Sequence, residues 1–254
     1  MILALSAVAG AVVFTAGAVI FMALLFAAAF KFVRPSILMD DYVPCAGGWH
    51  EAELKSCSQG LLKLPQQPVN TYSNLAYLAA GLFPAIVLKT PPAYVFAATM
   101  VYLCVGSSLY HAFSTRWAGM LDVTGIYTVF SALATYSAAL LIGLPDWITS
   151  LLMFVIAGLA AYFLSPRYKQ DMHLRIGIFL GLAYGLTLLH MGLRGNWGAW
   201  PYLLASFLLF ALAFLIWNLD KKRTFPLHGW GHGFWHVFTA AGAALVFYAA
   251  FLSA

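Results

Sequence analysis

Seven histidines and eight acidic residues are spread along the 254 residues of this chain, and a few of them fall at spacings that chemistry can use. His228, His232 and His236 follow one another at four-residue intervals in PLHGWGHGFWHVF. On a helix, positions i and i+4 share a face one turn apart, so His232 and His236 can offer two imidazoles to a single metal ion. His228 could take the place of His232 if the helix began early, but the G-W-G between them argues against a continuous helix there. The same spacing sets Ser107 one turn from His111 in GSSLYHAF, and Asp122 follows the short STRWAG segment. Three histidines and a water form a catalytic zinc shell with one open position, and a nearby carboxylate can orient that water and accept its proton.

The elements that must position these residues are membrane spans. Hydrophobic residues make up 63% of the chain and charged residues 8%, against about 25% charged in a soluble domain. A soluble fold could not cover its surface with so little charge. Punctuation by Pro, Gly and charge divides the chain into spans at 4–30, 71–88, 93–113, 119–143, 147–164, 174–192, 200–217 and 232–253. The expectation is an all-α polytopic membrane protein with eight spans. Residues 1–30 carry no charge, whereas a cleaved signal peptide has a basic start and a shorter apolar core, so this segment reads as a retained transmembrane helix.

Cations set the expected orientation. Lys31, Arg34, Lys55, Lys63, Arg116, Arg167, Lys169, Arg175, Lys221, Lys222 and Arg223 fall on the side of the odd-numbered loops, and only Lys89 and Arg194 on the other. Positive charge stays inside, so the N-terminus is expected outside and the 34–70 loop in the cytoplasm. That reducing compartment favours Cys45 and Cys57 as free thiols, or as minor metal ligands, over a disulfide. The net charge of +5 then faces anionic headgroups of membrane lipids and not nucleic acid. His111, Asp122, His232 and His236 all adjoin the odd-numbered loops, which puts the candidate site toward the cytoplasmic face.

Seven of the eight acids lie in loops, and Asp122 alone falls inside a span. An ionisable residue there needs a cation, a metal or a proton as partner. Each member of the set also has a bland reading. An H-x-x-x-H pair can be a structural hydrogen-bonding pair, a buried Asp a packing anchor, and Ser107 a hydroxyl bonded back to its own helix. His190 reads as structural, and His50 and His173 receive no role. The combination carries the case.

GSSLYHAFSTRWAGMLD together with HGFWH resembles the CREST superfamily of membrane hydrolases, which includes alkaline ceramidases and the progestin/adiponectin-receptor (hemolysin III-like) proteins. Ser107, His111, Asp122, His232 and His236 fill its S-x-x-x-H, Asp and late H-x-x-x-H pattern in order, and PVNTYSNLAYLAAGL (68–82) is similar to the opening of the first core helix in the ceramidase branch. The resemblance implies an extra N-terminal transmembrane helix (1–33), a cytoplasmic loop (34–70) and a seven-helix hydrolase core (71–254), as in a bacterial ceramidase-like protein of the inner membrane. It implies a zinc ion held by His111, His232 and His236, and hydrolysis of a lipid amide (ceramide or another N-acyl lipid) to a fatty acid and an amine. Asp122 would then move the proton of the attacking water, and Ser107 would donate to the carbonyl oxygen. The region KSCSQGLLKLPQQP lacks the carboxylates that bind calcium in alkaline ceramidases, so no calcium is expected. The ending FWHVFTAAGAAL looks more like the receptor branch. The alternative is therefore a non-catalytic, lipid-binding or receptor-like protein with structural zinc. A third reading is a haem carrier with axial histidines from two spans.

Overall fold

The computed structural model describes Pro65, residues 67–165, 171–222, 224, 226, 227 and 230–254. The expected N-terminal span, Cys45, Cys57, His50 and His228 lie outside these residues. Among the described residues there are seven helices long and apolar enough to cross a membrane, so the chain is an all-α, integral, multi-pass membrane protein. They are α1 (Pro68–Leu88), α2 (Pro91–Phe113), α3 (Arg116–Leu141), α4 (Asp146–Leu164), α5 (Met172–Arg194), α6 (Trp200–Lys221) and α7 (Gly231–Ser253). α1 is made of two segments, Pro68–Ser73 and Leu75–Leu88, that meet at Asn74. At about 1.5 Å rise per residue, the 23 residues of α2 reach about 35 Å, enough for the hydrocarbon core.

The helix boundaries follow from local chemistry. Pro91 and Pro92 start α2, where a missing N–H costs nothing. Gly195 ends α5 at φ 66°, the left-handed conformation glycine adopts freely. The reversal between α2 and α3 is shorter than the six residues of STRWAG. Ser114 turns left-handed at φ 51°, Thr115 is extended, and Arg116 already begins the next helix. Asp122 therefore sits on the second turn of α3 and not at its start.

Glycines decide how closely the inner helices approach. A Cβ on Gly106 of α2 would lie 2.7 Å from the Leu121 carbonyl oxygen of α3 and 3.1 Å from the Asp122 nitrogen. One on Gly125 would lie 2.8 Å from the Leu103 Cα. Deeper in the bundle, Phe247 of α7 is stacked between Phe96 of α2 and Tyr136 of α3, with centroids 4.7 and 4.6 Å away. Hydrogen bonds between helices supply the attraction that apolar side chains cannot give in lipid. Tyr77 of α1 meets Thr239 of α7 at 2.8 Å, Tyr102 of α2 meets Thr124 of α3 at 2.9 Å, and Ser137 of α3 meets Thr187 of α5 at 2.9 Å. His190, expected as structural, meets Ser253 of α7 at 3.0 Å.

Candidate metal centre

One end of the bundle gathers the start of α1, the end of α2 and the starts of α3 and α7. Two glycines of α7 let it seat there. A Cβ on Gly233 would lie 2.9 Å from the Val69 side chain and 3.6 Å from the Ser73 hydroxyl of α1. Gly231 donates its backbone N–H to Asp220 Oδ2 at 3.1 Å, so an acid from the last turn of α6 holds the N-terminus of α7. An acid is disfavoured at the end of its own helix and favoured at the start of another, and Asp220 serves the second place.

His111, His232 and His236 converge at this end. One ring nitrogen of each lies within 4.8 Å of the others, and the three could hold a metal ion. His111 and His236 are buried and His232 is half-buried. The Nε2 atoms of His111 and His232 are 3.1 Å apart. Two ligands at about 2.05 Å from a tetrahedral zinc would stand about 3.3 Å apart, so this edge already matches the ion. The three ring centroids lie 4.5 to 5.1 Å from one another. A haem would need two imidazoles on opposite faces of a flat macrocycle, and rings this close leave it no space.

The outer nitrogens are held by residues that the sequence reading gave no role. Gln67 donates its backbone N–H to the His111 carbonyl at 3.0 Å, and its Oε1 lies 2.6 Å from His111 Nδ1. Asn70 Nδ2 donates to the same Oε1 at 2.9 Å. That oxygen can only accept, so Nδ1 of His111 carries the proton and Nε2 keeps its lone pair. Ser73 acts on His236 in the same way. Its hydroxyl donates to the Asn70 carbonyl at 3.1 Å and stands 2.8 Å from His236 Nδ1. With its one proton spent, the Ser73 oxygen accepts from Nδ1 and leaves Nε2 of His236 free to ligate. Outer partners of this kind fix the tautomer and ring angle of metal-bound histidine. On donor chemistry the residues fit a borderline divalent ion such as zinc.

Ser107 is buried on α2, one turn from His111. Asp122 is half-buried on α3, and its backbone packs against Gly106, the residue before Ser107. Among the described residues the metal-holding group comprises the three histidines and does not take in Asp122. Tyr77 of α1, whose ring lies 5.8 Å from that of His236, borders the site. His173 takes no part and packs on Trp217 of α6 at 6.0 Å.

A signal for Ser73 is present in the stretch PVNTYSNLAYLAAGL, three residues after Asn70. None marked Gln67, a polar residue in what reads as loop. No family model, no curated protein and no solved structure matches this chain.

Proposed function

We propose that this chain is a zinc-dependent membrane amidohydrolase of the CREST superfamily, cleaving an N-acyl lipid such as ceramide. The observation that carries the reading is the set of three converging imidazoles, two of them fixed with Nε2 inward, beside a span that holds an acid. His111, His232 and His236 would hold the ion. When bound, it would supply an acidified water, with its pKa lowered from 15.7 toward about 7. Asp122 takes one proton from the attacking water and passes it to the amide nitrogen, which leaves as the amine. Ser107 donates its hydroxyl proton in a hydrogen bond to the carbonyl oxygen as charge builds there. One water is consumed, the C–N bond breaks, and a fatty acid and an amine result. The resemblance of motif order and the eleven cations near the odd-numbered loops favour a site toward the cytoplasm.

Among the described residues three histidines make up the ligand set, which leaves a fourth position for water as in catalytic zinc sites, whereas structural zinc sites close with four protein ligands. This favours turnover over the receptor-like alternative. The test incubates purified protein with ceramide and other N-acyl lipids, with and without a chelator, and reads fatty-acid release by mass spectrometry alongside elemental analysis. Bound zinc with chelator-sensitive release is expected, and Asp122→Asn should lower release by at least about 100-fold with zinc retained. Protein without zinc, or release that survives chelation, overturns the proposal. Bound zinc with no release from any lipid amide assigns the receptor-like reading instead.

A further inference from the structure

Asn74 stands at the interruption of α1 and is fully buried. Its Nδ2 donates to the Asn70 carbonyl at 2.8 Å. A carbonyl can only accept, so this contact identifies the remaining amide atom as oxygen. Among the described residues that atom, Oδ1, is buried with no hydrogen-bond partner. An acceptor left so costs about 1–3 kcal/mol, and such an atom calls for an explanation. Thr71 Oγ1 and Thr115 Oγ1 share the condition, but a hydroxyl can rotate its proton toward a nearby carbonyl. An amide oxygen has no proton to turn.

Neighbouring contacts show where Asn74 looks. Gln67, just before α1, and Gly81, in its second segment, both meet α2, at His111 and at Met100. Ser73 and Tyr77, on either side of Asn74, meet α7 at His236 and Thr239. Asn74 therefore faces the wedge between α1, α2 and α7, beneath the histidines. Its depth follows from two contacts. The Thr71 carbonyl accepts from Ser108, and Gly81 meets Met100, so Asn74 lies level with the Ser107 turn of α2 between them. Gly106 at the same level packs on the backbone of Asp122.

A secondary amide has two polar ends, a carbonyl oxygen that accepts and an N–H that donates. Ser107 offers a donor at this depth, and Asn74 offers an acceptor. We infer that Asn74 Oδ1 receives the N–H of the scissile amide, so that the site distinguishes lipid amides from lipid esters; this rests on the hydrolase reading above. A site with a buried acceptor rejects an analogue that lacks the matching donor, because the acceptor is then left bare.

The experiment compares wild type, Asn74→Leu and Asn74→Asp in liposomes on an N-palmitoyl amino alcohol and on the ester that replaces the N–H by oxygen. An ester left uncut is scored by its inhibition constant against the amide. Asn74→Leu should lower kcat/KM for the amide about 10- to 100-fold and change the ester less than about 3-fold. Where both lipids are cut, the amide-to-ester ratio is taken within each preparation, so an inactive fraction cancels; where the ester is not cut, kcat for the amide is referred to titrated active sites. If Asn74→Leu yields no active protein, Asn74→Asp decides the matter. It keeps an acceptor oxygen and should keep the amide preference. Equal losses on both lipids, or a preference lost in Asn74→Asp, overturns the inference while leaving the hydrolase reading intact. Wild type that cuts neither lipid overturns both.

Discussion

The inner and outer helices of the bundle solve different problems. Between 44 and 78% of the residues in the central windows of α1, α2, α3 and α7 are buried, against 17 to 22% in α4, α5 and α6. Every residue assigned to the candidate site belongs to the inner four or to Gln67 just before them. The outer three are the more apolar and present Trp147, Phe154, Phe163, Phe207 and Phe214 outward. In lipid, apolar surface gains little by meeting apolar surface, so close packing goes to helices with small residues and hydrogen bonds to share. The same small and polar residues that lower the hydropathy of a span allow it to hold a site. Within this bundle, the four less apolar helices carry the candidate chemistry and the three more apolar ones face outward.

The sharpest way to break this contrast is to take away the polar partners of the inner face. Gln67→Leu and Ser73→Ala each remove the acceptor of one histidine Nδ1. Each is expected to weaken zinc binding about 10- to 100-fold, read by competition against a calibrated chelator. Gln67→Glu, which restores an acceptor, should bind nearly as well as wild type. Unchanged affinity in both truncations would mean that the rings are held by packing alone.

A second, smaller effect is expected where backbones touch. Gly106→Ala would put a methyl group 2.7 Å from the Leu121 carbonyl oxygen, which cannot swing aside as a side chain would. The cost should be about 1–2 kcal/mol, read by unfolding in mixed micelles. Separation of α2 from α3 would also move Ser107 relative to Asp122, so amide hydrolysis should fall by more than the loss of folded protein explains. Proportional losses would show that this contact serves stability only.

The division between inner and outer was partly legible in the sequence. Four-residue spacing brought out His232, His236, Ser107 and His111, because it is the period of a helix face. Asp122 stood out because a lone acid among aliphatic residues demands a partner. The supporting layer was less visible. Gln67 lies seven residues before Asn74 and forty-four before His111, and no local pattern distinguishes an acceptor aimed at a histidine from any polar residue ahead of a span. Pro, Asn and Thr are poor helix formers, so the sequence predicts the span only from residue 71, whereas α1 begins at Pro68. There the Asn70 carbonyl accepts from Ser73 and Asn74, and the Thr71 carbonyl accepts from Ser108. Asp122 lies further into its helix than a span starting at residue 119 predicts, for a related reason. Thr115 takes the extended conformation that ends the reversal after two residues, and Arg116, Trp117 and Ala118 then enter the helix.

The outer face provides the smallest and most discriminating test. Gly177, Gly181 and Gly185 recur every four residues on α5, all exposed, and a Cβ on any of them meets nothing within 4 Å. In the inner helices, glycine buys close approach; here it only leaves the backbone freer when unfolded. Gly181→Ala should therefore stabilise the protein by about 0.5–1 kcal/mol in the same unfolding assay, opposite in sign to Gly106→Ala. Spacing of this kind is also how membrane helices meet one another, which gives the reverse result a definite meaning. If Gly181→Ala destabilised the protein, and the loss grew with dilution into detergent, α5 would be covered by a second copy. The contrast would then separate helices that pack within the chain from those that pack between chains, and no longer inner from outer.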